Sequence, residues 1–231
     1  MDIREMLKKH PKFYYFIADV FGPMMWTGYG PKKFLKKYCS DKNNILNFGS
    51  GPRILGKGVI NIDSQKYKDI DLLADIQNIP MAGNTANGII CDTVIEHVKE
   101  PAKVIKEMHR LLKSGSYAYI TAPFLYPFHS SPDDFTRWTK AGFEKELSDF
   151  TIIKSGVRAG AFSALNVYAC YLFALIFSIN SKKLFWFLVN LSIFIFFPIK
   201  LFDLILARVP MSENMASIMY YIVQKKEYEK R

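Results

Sequence analysis

NILNFGSGPRILGKGVINID, residues 44–63, decides the reading of the fold. Ile45 and Leu46 begin an apolar run that leads through Asn47 and Phe48 into Gly49-Ser50-Gly51-Pro52. A second apolar run, Val59 to Ile62, ends on Asp63. The pattern is strand, glycine turn, connection, strand, acid. Glycines let the backbone turn sharply and let a ligand approach closely. A carboxylate at a strand tip can accept hydrogen bonds from both hydroxyls of a ribose, each worth about 1.5–3 kcal/mol because the acceptor is charged. The stretch therefore predicts a nucleotide-binding turn.

The sequence beyond it repeats the alternation. Asp71 to Ile76 places a second carboxylate, Asp75, after a short apolar run, and Ile79-Pro80 follows. Gly88 to Val98 reads as a strand running into a polar loop. Apolar Val104, Ile105, Met108, Leu111 and Leu112 have helical spacing and predict a helix over 100–112, stopped by Lys113-Ser114-Gly115. Tyr117 to Pro123 is the next predicted strand. Strands alternating with helices argue for a mainly parallel sheet with its ligand at the carboxyl ends of the strands.

In this order, NFGSGP, NID, ADIQNIP, IICDTVIEHV and EMHRLLKSGSYAYITAPF, over residues 45–150, resemble the class I S-adenosylmethionine-dependent methyltransferases. Within them the chain is similar to the small methyltransferases of bacterial surface-saccharide and lipid-linked glycan clusters. The resemblance implies a Rossmann-like α/β fold and S-adenosylmethionine as cofactor. Phe48, Gly49 and Gly51 would shape its turn, and Asp63 would hold its ribose. Asp75 and Ile76 would meet the adenine, and Thr93 would line the sulfonium end. Asn47 stands where the family carries an acid, and it is counted with the cofactor residues. The connection 52–58 is too short for a full helix, because a parallel crossover needs about a dozen residues or more.

After the Tyr117 strand comes PFLYPFHSSPDDFTRWT, residues 123–139, rich in proline and aromatics, as an ordered substrate loop is. Its Pro127-Phe128-His129, Pro132, Asp134-Phe135, Arg137 and Thr139 resemble a pattern of the saccharide-type enzymes. His129 is the candidate general base, since imidazole titrates near neutrality, and His97 is its rival. A ring bonded to backbone is the plainer role for His97. Asp134 and Arg137 are the candidate substrate-binding pair. Arg137 has two readings, a phosphate or sugar-acid ligand, or an ion pair with Asp133 or Asp134.

Composition sets further bounds. Of 231 residues, half are hydrophobic and 15% aromatic, with 19 phenylalanines and a net charge of +10. Three cysteines, Cys39, Cys91 and Cys170, have no metal-type spacing, imply no disulfide framework and fit a reducing cytoplasmic compartment. No metal site is expected. Residues 1–43 mix lysine clusters with apolar patches and form a predicted helical cap. The acids Asp2, Glu5 and Asp19 argue against a signal peptide.

The methyltransferase core is assigned to 44–160, an apolar helical insertion to 161–212, and the last strand with a basic tail to 213–231. A strand is predicted from Thr151 and a last one over 216–226, antiparallel in the fold that the chain resembles. Between them lie the apolar runs 168–179 and 184–199, the second continuing to Leu206 past Lys200 and Asp203. Spanning a bilayer takes about 20 apolar residues. If the flanking strands pair in one sheet, the chain leaves and returns on the same side. The expectation is a helical hairpin dipping into the cytoplasmic face of a membrane, with a helical cap or homodimer interface as the alternative. Lysines beside apolar runs suit anionic lipid, and no nucleic-acid motif is present.

The expected function is O-methylation of a saccharide or lipid-linked acceptor. The alternatives are a non-catalytic membrane adaptor, a small-molecule or quinone-type methyltransferase, and a nicotinamide-dependent oxidoreductase. The absent third glycine argues against the last.

Overall fold

The computed structural model describes residues 20–129 and 133–226. The lysine and aromatic clusters at 8–17 and the tail beyond Lys226 lie outside the described residues. Seven strands form one sheet: β1 (Ile45–Phe48), β2 (Val59–Asp63), β3 (Leu72–Leu73), β4 (Ala86–Cys91), β5 (Leu112–Pro123), β6 (Phe150–Ala159) and β7 (Ile218–Lys225). Their order is β3-β2-β1-β4-β5-β7-β6. Parallel pairing joins β1 to β2 and β4, β2 to β3, and β4 to β5. The last strand runs antiparallel. Ala216 faces Leu125, and Gln224 reaches Gly115 at the opposite end of β5. Ser217 bonds Ala159, and Gly156 lies against Tyr220. This is the Rossmann-like methyltransferase architecture, with an apolar helical segment between β6 and β7.

The chain divides into two units, the first being Met1–Gly28, Leu125–Phe128 and Val157–Ile218, the second Tyr29–Phe124, His129–Gly156 and Met219–Arg231. In the second unit, α1 (Pro31–Tyr38) buries Phe34 against Tyr119, with Ile45, Ile90, Tyr220 and Ile222 in the same core. Helix α2 (Pro101–Leu111) buries Val104, Ile105, Met108 and Leu111, the spacing read from the sequence. It ends without the predicted glycine stop. Leu112 already lies in β5, and Gly115 takes its positive φ of 71° within that strand. Residues 49–58 carry no helix, as their length requires. Helix α3 (Lys140–Glu146) is capped by Thr139, whose hydroxyl accepts from Gly142 N. All three cysteines are buried and free, and burial pushes the Cys39 thiol up to about 11.

The first unit is built on α4 (Ala161–Phe177) and α5 (Lys182–Phe196), followed by 3-10 turns at Phe197–Phe202 and Pro210–Met215 and a short α6 (Asp203–Leu206). Asn180, at φ 57°, turns the chain between the two long helices, and the Ser181 hydroxyl caps α5. Their seam joins aromatic pairs, Tyr171 with Phe185 and Trp186 and Phe173 with Phe196, to a small polar centre where the Ser192 hydroxyl donates to the Val189 carbonyl (3.0 Å) close to the Cys170 carbonyl (3.5 Å). Most of the large apolar side chains on the other faces are exposed, among them Leu172, Leu175, Ile176, Phe187 and Ile195.

Lys200 and Asp203, which interrupt the second apolar run, are both 1% exposed. Lys200 Nζ donates to the carbonyls of Gly22 (2.6 Å) and Met24 (3.3 Å). The Asp203 carboxylate accepts from the backbone N–H groups of Gly160 (3.1 Å), Phe162 (3.0 Å) and Ser163 (2.8 Å) and from the Ser163 hydroxyl (2.6 Å). Asp203 thus caps the first turn of α4, where N–H groups lack helical partners and the helix dipole favours an anion. Replacing it leaves buried donors without an acceptor. Asp203→Ala should lower the unfolding free energy by about 3 kcal/mol or more, measured by denaturant titration, with Asp203→Asn recovering only part.

Candidate active site

A cleft at the carboxyl ends of β1, β2 and β4 is lined by Gly49, Gly51, Asp63, Ser64, Gln65, Tyr67, Asp75, Ile76, Thr93, Val94, His97 and Val98. Two glycines make its floor. Gly49 has φ 58°, and a Cβ there would come within 2.4 Å of Val94 Cγ1. Gly51 has φ 53° and nothing within 4 Å of the place a Cβ would occupy. The turn needs both left-handed conformations, and at Gly49 it also needs the missing side chain.

Asp63 fixes this turn. Its Oδ2 accepts from Gly51 N at 2.9 Å and its Oδ1 from Gln65 N at 2.8 Å. One carboxylate holds both loops that frame the cleft. Each oxygen keeps a second lone-pair position for a ligand hydroxyl. Asp75 also lines the cleft but is exposed, and its two oxygens accept from the side chain and backbone of Gln77. Ile76 is buried beneath it. The segment behind is pinned by Glu107, which accepts from Ile79 N at 2.8 Å and pairs with Arg110. Thr93, at φ 58°, donates its N–H to the Thr121 hydroxyl.

Asn47 and Phe48 sit apart from this lining. Both are buried in the strand, and Asn47 donates to Asn61 Oδ1 at 3.0 Å, a cross-strand pair inside the sheet. The other expected cofactor residues are brought together. The cleft lining adds Gln65, Tyr67, Val94 and Val98, which carry no pattern beyond their place after Asp63 and around Thr93.

The histidines converge at one edge of the cleft. His97 and His129 meet edge to face with ring centres 4.9 Å apart. His97 Nδ1 bonds the Asp133 carbonyl, the backbone contact weighed for it in the sequence. A carbonyl only accepts, so Nδ1 carries the hydrogen and Nε2 a lone pair in the neutral ring. His129 Nδ1 lies 3.2 Å from Asp134 Oδ2 and 3.4 Å from Arg137 Nη2. Arg137 grips both Asp134 oxygens, so of the two roles read for it the ion pair is present. The Asp134 carboxylate is 1% exposed. Burial would raise its pKa, but bonds from Arg137 and from the His129 N–H outweigh this and hold it below the usual range.

Glu96 completes the group, and the sequence did not single it out. It lies between Ile95 and His97 on a 3-10 turn (Ile95–His97), is 1% exposed, and its Oε2 has no hydrogen-bond partner among the described residues. Burial foremost, with the nearby Asp134 and Asp92 charges, pushes its pKa up to about 8, against the partial relief of its own backbone N–H and of Arg137. The unfolded value is near 4.5, so the native state binds the extra proton between about pH 4.5 and 8. Stability therefore falls as pH rises through that window. In chelator-containing buffer, wild type should lose about 3–5 kcal/mol relative to Glu96→Gln between pH 5 and 8.5, read from paired denaturation curves. Parallel curves would contradict this account of Glu96.

Residues 55–120 match the family model described as Methyltransferase domain. No curated protein matches the chain. Among solved structures, a chain of the complex between the Haloferax volcanii Trm112 methyltransferase activator and a methyltransferase superposes with TM-score 0.54 at 10% identity, covering 100% of both chains. A Thermotoga maritima S-adenosylmethionine-dependent methyltransferase gives 0.54 at 11% identity, over 96% of this chain and 98% of that one. Haemonchus contortus phosphoethanolamine N-methyltransferase 2, with phosphomonomethylethanolamine and S-adenosylhomocysteine, gives 0.52 at 14% identity, over 98% of this chain and 61% of that one. At such identities the likeness speaks for the fold. With the domain match it gives an S-adenosylmethionine-dependent methyltransferase. The cleft fits that cofactor: two glycines without side chains, a carboxylate with acceptor capacity to spare, and a buried Ile76 for an adenine face.

Proposed function

We propose that the chain moves a methyl group from S-adenosylmethionine to a hydroxyl oxygen of a saccharide or lipid-linked acceptor at the cytoplasmic face of a membrane. The observation that carries the reading is the adjacency of the Asp63-held glycine turn and the His97–His129 pair, with His97 lining the same cleft. When bound, S-adenosylmethionine supplies an electrophilic methyl carbon on its sulfonium. Asp63 would take the ribose hydroxyls, Ile76 the adenine face, with Asp75 at its edge, and Thr93 the sulfonium side. Asp134, itself locked by Arg137, orients the His129 ring, which would accept the acceptor hydroxyl's proton. Holding the hydroxyl in line with the methyl carbon contributes most, since alignment removes much of the entropic barrier.

The saccharide-type acceptor is supported by the resemblance of the loop carrying His129, Asp134 and Arg137. The membrane is supported by α4 and α5. Within residues 182–206 an 18-residue window has mean hydropathy 2.0 with 17% of it buried, and the segment is long and apolar enough to cross a membrane. The Lys200 and Asp203 contacts within their unit favour a hairpin lying in the interface over a span.

Calorimetric titration of S-adenosylhomocysteine should show micromolar binding to wild type and none to Asp63→Ala. Absence of binding by folded wild type would overturn the enzymatic reading. Turnover on a lipid-linked glycan should fall about 10²–10⁴-fold in His129→Ala, and full turnover would remove His129 as the base. Sedimentation with phosphatidylglycerol vesicles should persist in high salt and be lost in Ile176→Asp/Phe187→Asp, because apolar burial rather than charge would dominate. Wild type that stays in the supernatant would rule out the membrane.

A further inference from the structure

We infer that Glu96, His97 and His129 form a binding site for one divalent transition-metal ion at the edge of the methyltransferase cleft. The ligand atoms these three residues offer all lie within 4.8 Å of one another. Two imidazoles and one carboxylate are a donor set that suits zinc, cobalt or iron(II) better than magnesium or calcium, which favour oxygen alone.

Three observations point to a cation rather than to a chance cluster. First, Glu96 is 1% exposed and its Oε2 has no partner among the described residues, although a buried carboxyl oxygen is ordinarily bonded. Second, His97 Nδ1 is committed to the Asp133 carbonyl, which turns the lone pair of Nε2 toward Glu96 Oε1, 3.9 Å away. With Glu96 ionised and the ring neutral, two acceptors face each other, an arrangement that a shared proton or a cation completes. Third, both rings carry the outer contact that metal-ligating histidines make. A backbone carbonyl holds His97 and a carboxylate lies beside His129 Nδ1, fixing ring orientation and basicity.

The charges agree. Asp134 is neutralised by Arg137 and Asp92 is paired with Arg53, so the Glu96 carboxylate would supply the negative charge facing the ion. Bonds of about 2.1 Å in a tetrahedral site bring donors to about 3.4 Å apart. The three residues leave coordination positions open, so a hydroxyl entering the cleft could become a further ligand and lose its proton more readily. That use rests on the methyltransferase reading, and in the loaded protein His129 would be a ligand rather than the base. Binding itself rests on neither.

The test uses the full chain, stripped with chelator and dialysed, titrated with Zn²⁺ in a calorimeter. Wild type should bind one Zn²⁺ per chain, unaffected by excess Mg²⁺. Glu96→Gln should bind at least tenfold more weakly, the double variant His97→Ala/His129→Ala should not bind, and His109→Ala, away from the cluster, should behave as wild type. Should the double variant fail to fold, Glu96→Gln decides, since it keeps shape and removes only the charge. No Zn²⁺ binding by folded wild type, or equal affinity in Glu96→Gln, would overturn the site whatever the cofactor titration shows.

Discussion

One carboxylate holds the site together. Asp63 ends β2 and accepts from Gly51 on the first loop and Gln65 on the second. Charge-assisted bonds to backbone N–H are about twice as strong as neutral ones. Here they act across two connections that contain no helix. In a parallel sheet a helix usually packs the crossover and sets the loop. Residues 49–58 have none, so the loop's shape depends on the two left-handed glycines and on this acid. The geometry that would bind a ribose is also the geometry that keeps the turn folded.

The same economy appears elsewhere in the molecule. Glu107 and Arg110 on α2 hold the backbone at Ile79 and Met81, and so set the segment that carries Asp75 and Ile76. Asp203 caps α4 from 40 or more residues away in sequence, and Lys200 closes on the carbonyls of Gly22 and Met24. Buried charges of this kind are costly to desolvate. Asp203 and Lys200 are matched by backbone dipoles, and Glu107 by one backbone N–H and the Arg110 guanidinium. The polar residues that interrupt the apolar run 184–206 therefore serve as internal ties.

Period and punctuation made much of this legible in the sequence. The apolar spacing of 104, 105, 108 and 111 gave α2, and the strand tips gave Asp63, Asp75 and Thr93 their places on the cleft. A lysine, a serine and a glycine usually stop a helix, whereas here Gly115 takes its positive φ inside a strand that begins at Leu112. Asn47 has the place of a cofactor residue, just before the glycines, but its amide donates to Asn61 across the sheet. Nothing local in the sequence marks Glu96 as a buried acid. Its environment is made by His129, Asp134 and Arg137, more than 30 residues further on. Long-range pairing of that kind has no signature in a window of sequence.

The central claim is that Asp63 and the glycine turn it holds form the cofactor site of a methyltransferase. A crystal structure of the chain grown with S-adenosylhomocysteine tests it most directly. The account predicts both ribose hydroxyls on the Asp63 carboxylate, the adenine over Ile76, and the sulfur directed toward Thr93 and the two histidines. Density for the ligand elsewhere, with Asp63 bonded only to Gly51 and Gln65, would contradict it.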